Sequence, residues 1–308
     1  MPGTRATRRS VLALGTGAAL ALGTGAAVAA EPRRSPRDPL GDRSAEHRLR
    51  ELEREHGVLL GVYARNTVTG RTVAYRADRP FPLCSVFKTY AAAAVLDRLD
   101  HDGRFLAQRR FYTAEFVEES GGGAITQDNV ATGMTVGELC SATISYSDNA
   151  AANLLLRDLG GPTSVTRFCR GLGDPHTRLD RWEPDLNSAD PWRAEDTTTP
   201  RASARNYARL VLGDVLDPAD RELLTGWLLA NTTSTHRMRA GIPAHWPLGD
   251  KTGAGRYGTN NDVGIAWAPG GRPLVLSIFS TKDTEAAPRD DAAVRKAATL
   301  LAETLTQD

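Results

Sequence analysis

The stretch Ser85-Val86-Phe87-Lys88-Thr89-Tyr90-Ala91-Ala92-Ala93-Ala94-Val95-Leu96 decides how the rest of this chain is read. It predicts a helix opened by Ser85 and continued by the apolar run from Tyr90 to Leu96. At spacing i, i+3 Ser85 and Lys88 share one helix face, with Cβ atoms about 5–6 Å apart. A neutral lysine in that position can accept the serine proton, and the amides of a helix start favour an anion beside them. Ser85 is therefore a candidate nucleophile and Lys88 its proton acceptor. Composition adds weight to the lysine. The chain is rich in arginine and has only four lysines, Lys88, Lys251, Lys282 and Lys296. A lysine kept in such a chain marks a place where an amine must lose its proton, which a guanidinium cannot do.

Outward from this helix, the N-terminal side carries two strand-like runs, residues 58–65 and 71–75, joined by a turn at Gly70. Before them, residues 43–56 set Leu49 and Leu52 among charges, an amphipathic helix closed by Gly57. On the other side, residues 84–230 read mostly as helices with clear punctuation. Thr135 and Glu138 form a capping-box pattern, Thr199-Pro200 and Asp217-Pro218 each put a capping side chain before a first-turn proline, and Gly160-Gly161-Pro162 ends one helix and starts another. Strand-like runs return at 262–267 and 274–280, and an Ala- and Leu-rich helix closes the chain. This order predicts a two-lobe α/β (α+β) fold. Residues 43–77 and 231–308 build an antiparallel sheet flanked by helices, residues 78–230 an inserted all-helical lobe, and the cleft between them is the expected active site.

Residues 1–29 read as an export signal. Arg8-Arg9 precedes a weakly apolar, glycine-containing stretch ending in Ala27-Val28-Ala29, the pattern of a twin-arginine leader, so a secreted protein is expected. Residues 30–42 are rich in Pro, Arg and Asp and read as a disordered lead-in. A formal net charge of +1 over 308 residues supports neither nucleic acid nor an anionic membrane as partner. Cys84, Cys140 and Cys169 are an odd set and are expected to be buried free thiols. The six histidines show no zinc-ligand spacing, so no metal is expected, and no serine lies in a G-x-S-x-G elbow.

Three further motifs stand in order along the chain: Ser147-Asp148-Asn149, Arg181-Trp182-Glu183-Pro184-Asp185-Leu186-Asn187, and Lys251-Thr252-Gly253. With Ser85-Val86-Phe87-Lys88 they resemble the class A serine β-lactamases, which share their fold with penicillin-binding proteins, and the resemblance runs from about residue 43 to residue 305. It implies β-lactams as the small-molecule substrates, no cofactor, and a monomer. It assigns Ser85 as the acylated nucleophile, Lys88 as its proton-accepting neighbour, and Ser147 as the hydroxyl that passes a proton to the departing nitrogen. Asn149 is implied to bind the substrate's side-chain amide. Lys251, Thr252 and Gly253 are implied to meet its carboxylate, and the amides of Ser85 and Ala254 to form the oxyanion hole. Glu183 and Asn187 are implied to hold the hydrolytic water. The base for acylation, Lys88 or Glu183, stays open.

The resemblance also implies that Arg181 with Asp196 and Arg178 with Asp180 pin the Glu183 loop, and that Glu183-Pro184 is cis. Asn260 stands where many relatives carry an arginine, and Arg237 where a subset supplies that guanidinium. Residues 118–123, ending in three glycines, replace a segment that often places an aromatic at the cleft rim. The disulfide positions of some relatives are Ala92 opposite Cys140 and Gly255 opposite Cys84, so neither bridge can form. Two alternatives share much of the machinery. A D-Ala-D-Ala peptidase lacks the Glu183 and Asn187 pair, and a non-hydrolysing penicillin-binding sensor needs a tether or partner domain.

Overall fold

Strands from the two ends of the chain meet in one five-stranded antiparallel sheet. The computed structural model describes residues 39–307, with side chains from residue 43. The expected export signal and residues 30–38 of the expected lead-in lie outside the described residues. β1 (Leu59–Asn66) and β2 (Thr72–Tyr75) come from the N-terminal side, and β3 (Leu248–Ala254), β4 (Asn260–Ala268) and β5 (Arg272–Thr281) from the C-terminal side. Two short pairings lie outside this sheet, Phe81-Pro82 with Thr197-Thr198 and Arg109-Arg110 with Met134-Thr135. The strand order is β2-β1-β5-β4-β3, so β1 and β5 close the seam between the two ends, from Leu59 opposite Thr281 to Asn66 opposite Leu274.

The helices, in chain order, are α1 (Pro39–His56), α2 (Phe87–Arg98), α3 (Ala114–Glu119), α4 (Val136–Ser145), α5 (Asn149–Leu159), α6 (Thr163–Gly171), α7 (Pro200–Val211), α8 (Pro218–Leu229), α9 (Met238–Gly241) and α10 (Asp291–Thr306). Alternation along the strands sorts them into two cores. Leu60, Val62, Leu276 and Ile278 pack with Leu49 of α1 and Leu301 of α10. Tyr63, Val275 and Phe279 point the other way, into a core shared with α2, α4, α5 and α7. A sheet covered on both faces reads as a nearly continuous apolar run.

Helix α2 is buried on every side from Phe87 to Leu96, which its alanine-rich composition permits because small side chains let neighbouring helices close in. Helix α7 joins it to the sheet side, with the Tyr90 and Tyr207 rings edge to face at 5.9 Å and the Tyr207 hydroxyl 2.8 Å from Thr89 Oγ1. The punctuation read from sequence caps these helices as expected. Thr135 and Glu138 form a complete capping box, Thr199 and Asp217 cap α7 and α8 ahead of their prolines, and Gly160 ends α5 in a left-handed conformation at φ +86°.

Four boundaries differ from expectation, the first being α2, which opens at Phe87 with Ser85 in the 3₁₀ turn ahead of it. Helix α1 begins at Pro39 rather than residue 43, so the last four residues of the expected lead-in are helical. Proline suits a first helical turn, where its missing N–H has no intrahelical partner. Helix α5 starts at Asn149, rather than near Ala150 as the Ser147-Asp148-Asn149 stretch suggests, because Asp148 is its cap. Lys251-Thr252-Gly253 lies within β3 rather than ahead of the strands.

Candidate active site

The nucleophile candidate is presented by a tight local turn. Cys84–Val86 is one turn of 3₁₀ helix that runs directly into α2, and Cys84 has φ +45°, a region costly for a residue with a side chain. Two neighbours hold the turn. Asn261 of β4 donates through Nδ2 to the Pro82 carbonyl at 2.8 Å, and β3 presses against it at Gly253. A Cβ at Gly253 would stand 3.0 Å from the Leu83 oxygen and 3.2 Å from Val86 Cγ2, so the glycine of the motif lets the strand approach the serine. Ser85 itself is buried but for 8% of its surface.

Lys88, itself fully buried, points from α2 into a polar junction. Its Nζ donates to Asn149 Oδ1 at 2.6 Å and to the Ser147 carbonyl at 2.8 Å, with Ser147 Oγ at 3.4 Å. Glu183 Oε1 lies 3.0 Å away as an ion pair without hydrogen-bond alignment. From the opposite side Lys251 Nζ donates to Ser147 Oγ at 3.0 Å and to the Thr252 carbonyl at 3.0 Å. Ser147 thus sits between two lysines, held there with φ +59°. Burial and the positive charges of Lys88 and Arg237 push Lys251 well below the usual lysine range, against the opposing pull of Asp250 and Asp262. A lysine disposed to give up its proton, hydrogen-bonded to a hydroxyl, can relay protons through that hydroxyl.

Asp148 is more than a helix cap. It accepts from the Ala151 amide of α5 at 2.8 Å and from the Ile125 and Thr126 amides at 2.9 Å each, tying the Ser147 turn to the segment that follows the three glycines. In that segment a Cβ at Gly121 would come within 2.8 Å of Pro184 Cβ and 3.4 Å of Asn149 Nδ2. The glycine run therefore brings bare backbone against the wall of the cleft.

The Glu183 loop has little apolar packing, Leu179 and Leu186 excepted, and is held by polar clamps. Asp196 accepts from the amides of Asp180 and Arg181 at 2.7 and 3.0 Å and pairs with Arg181 Nε at 2.6 Å. Arg178 pairs with Asp180 at 2.7 Å, and Glu183-Pro184 is cis. Each of these was expected from the resemblance. Asn153 was not. Its side chain accepts from the Glu183 amide at 3.1 Å and donates to the Glu183 carbonyl at 2.9 Å, gripping the residue by its backbone. The available signal was Asn153 four residues after Asn149, a polar side chain on the otherwise apolar face of α5. Asn187 Nδ2 donates to Glu183 Oε2 in a short hydrogen bond.

Thr252 Oγ1 hydrogen-bonds to Thr233 Oγ1, another residue sequence reasoning missed. Arg237 is buried beside this group but does not point freely at the cleft. Its Nε is 2.9 Å from Asp291 Oδ1, the oxygen that also accepts from Asn260 Nδ2 at 3.0 Å. Arg237 Nη1 is buried without a hydrogen-bond partner. The arginine and the asparagine expected to exchange roles thus converge on one carboxylate. Cys84, Cys140 and Cys169 are buried free thiols. A Cβ at Gly255 would lie 2.9 Å from Cys84 Sγ, so the two positions do face each other as the resemblance implied. Among the described residues, no group of three or more His, Cys, Asp or Glu could hold a metal ion, and no helix is long and apolar enough to cross a membrane.

Comparison with known proteins agrees with this geometry. The model of the Beta-lactamase enzyme family matches residues 44–305. A β-lactamase of Streptomyces lavendulae is 58% identical over 305 residues, 98% of each chain. The solved β-lactamase of Streptomyces albus G superposes with a TM-score of 0.84 at 61% identity, covering 85% of this chain and 99% of that one. A class A β-lactamase described as the last common ancestor of Gram-negative bacteria superposes at 0.79 with 47% identity, over 84% of this chain and 98% of that one. Two lysines flanking one serine, a loop-borne glutamate against the first of them, and these likenesses place the chain in the class A serine β-lactamases, enzymes that hydrolyse β-lactams.

Proposed function

We propose that hydrolysis runs through an ester on Ser85 that is cleared by a water activated by Glu183. Ser85 Oγ attacks the lactam carbonyl, its proton leaving to Lys88, while the Ser85 and Ala254 amides meet the developing oxyanion. The C–N bond breaks as Ser147 hands its proton to the nitrogen and takes the former Ser85 proton from Lys88, 3.4 Å away, while Lys251 helps set the proton affinity of Ser147. Water then attacks the ester as Glu183 takes its proton, and that proton passes to Ser85 Oγ as the C–O bond breaks, which restores both groups. Asn149 orients the substrate amide, and Lys251, Thr252 and Arg237 receive its carboxylate, with Gly253 keeping the strand close.

The observation that carries the second half is a pair of buried acceptors: Asn187 Oδ1, which has no hydrogen-bond partner, and Glu183 Oε1, which has only the ion pair with Lys88 at 3.0 Å. Open acceptors on two side chains that are hydrogen-bonded to each other suit a molecule that donates two hydrogen bonds, as water does. This supports the hydrolase reading over the peptidase and sensor readings, in which the penicilloyl ester persists. Purified protein should turn over benzylpenicillin continuously, and Ser85→Ala should abolish both turnover and covalent labelling. Labelling that survives on another residue contradicts the assignment. We further propose that the enzyme acts as a secreted monomer, independent of nucleic acid and membrane, after twin-arginine export. Arg8→Lys with Arg9→Lys should then leave precursor in the cell.

A further inference from the structure

The Glu183 loop and the end of β3 meet along a seam that the reaction does not use directly. The Asn187 carbonyl accepts from the Arg256 amide at 3.0 Å, and a Cβ on Gly255 would stand 3.1 Å from Ala189 Cβ. Farther out, Trp192 sets its ring edge to face on Tyr257 with centroids 5.9 Å apart. Trp192 is 74% exposed, whereas Tyr257 is buried at 6%. Tyr257 is also fixed by its backbone, its amide donating to the Glu285 carbonyl at 2.8 Å and its carbonyl accepting from the Lys282 amide at 2.7 Å. The polar side chains around Trp192 spend their bonds inside the loop: Asp190 pairs with Arg193 at 2.7 Å and accepts from Ser188 Oγ at 2.9 Å. An exposed tryptophan thus rests on a buried tyrosine whose backbone is hydrogen-bonded on both sides.

We infer that Trp192 and Tyr257 form a clasp that sets the width of this seam, making Trp192 a positioning residue for substrate selection. The inference rests on the proposed β-lactamase mechanism, in which Asn149 orients the substrate amide and the oxyanion lies at Ala254, at the end of β3. An acyl chain on that amide must leave the cleft across the Asn187–Gly255 seam. A closed seam favours a slim acyl chain and keeps Asn187 aligned with Glu183. An open seam admits a branched one.

The test compares the wild type, Trp192→Ala and Trp192→Phe on benzylpenicillin and on a cephalosporin with a bulky branched acyl chain. In Trp192→Ala the ratio of kcat/KM for the bulky substrate over benzylpenicillin should rise about two- to tenfold, the size of one edge-to-face aromatic contact. Trp192→Phe should stay near the wild-type ratio. A purely structural role would lower both rates together and leave the ratio unchanged, which overturns the proposal. Hydrogen exchange of the Arg256 amide, which needs no turnover, should quicken by a similar factor in Trp192→Ala while amides of α2 are unaffected. An unchanged Arg256 amide also overturns the clasp. Absence of benzylpenicillin turnover in the wild type would instead count against the hydrolase reading.

Discussion

The two walls of the cleft are built by different means. The Ser85 wall is a packed one: α2 is buried on all sides, and its side chains fill a core that continues into the sheet. The Glu183 wall is a loop of residues 178–196 whose regular structure is one short 3₁₀ turn, Asp185–Ser188, and whose shape depends on Asp196, Asn153 and two arginines. Packing energy is shared among many contacts, so no single one decides the position of Ser85. A polar clamp is concentrated in one side chain, and its loss leaves buried groups without partners. The acylating half should therefore tolerate conservative change, and the deacylating half should fail at single residues.

The sharpest way to break this contrast is Asn153→Ala. It strands the Glu183 amide and carbonyl, at about 1–3 kcal/mol for each buried group left unpaired. Deacylation should slow by about a hundredfold or more, while single-turnover acylation of Ser85 changes little. Rapid-quench kinetics on benzylpenicillin separates the two steps. Equal slowing of both would show that the walls are not independent.

A smaller effect is expected at the carboxylate end of the cleft. Arg237→Ala should cost kcat/KM about ten- to a hundredfold, the worth of one charged hydrogen bond. Asn260→Ala should cost much less. Because Asp291 holds both side chains through one oxygen, the damage from Arg237→Ala should appear in acylation rather than in ester turnover. The reverse ranking in steady-state assays would place the guanidinium's role on Asn260.

The mildest prediction concerns stability behind the packed wall. Asp250 and Asp262 are fully buried on adjacent strands, with Asp250 Oδ2 and Asp262 Oδ1 each lacking a donor. Burial and the neighbouring Asp250 carboxyl hold Asp262 well above the usual aspartate range. Its folded form binds the proton more tightly than the unfolded chain does. The stabilisation is therefore complete below the ordinary aspartate value, about pH 4, and falls by about 1.4 kcal/mol per pH unit as pH rises toward the folded value. Asp262→Asn keeps the donor permanently and removes that slope. Its melting temperature should gain on the wild type between pH 4 and pH 7, and a constant difference across that range would contradict the protonated pair.

The same contrast explains what could be read from the residues alone. The apolar run of α2, the strand alternation and the caps at Thr135, Thr199 and Asp217 are local patterns, and each appears where expected. The clamps are not local. Asn153 meets Glu183 across 30 residues, and Asn261 meets the Pro82 carbonyl across 179, and no spacing rule encodes such partners. The motifs named Ser85, Lys88, Ser147, Glu183 and Lys251 because these groups carry chemistry of their own. Side chains that only hold them, Asn153, Thr233, Asn261 and Asp291, became visible once the fold brought them together.

The central claim is that one wall forms the ester and the other clears it, and Glu183→Ala with benzylpenicillin tests this most directly. Intact-protein mass spectrometry should show nearly full conversion to a single penicilloyl adduct on Ser85, persisting for many wild-type turnover times. Steady-state turnover equal to the wild type, or an adduct on any residue other than Ser85, would contradict the account.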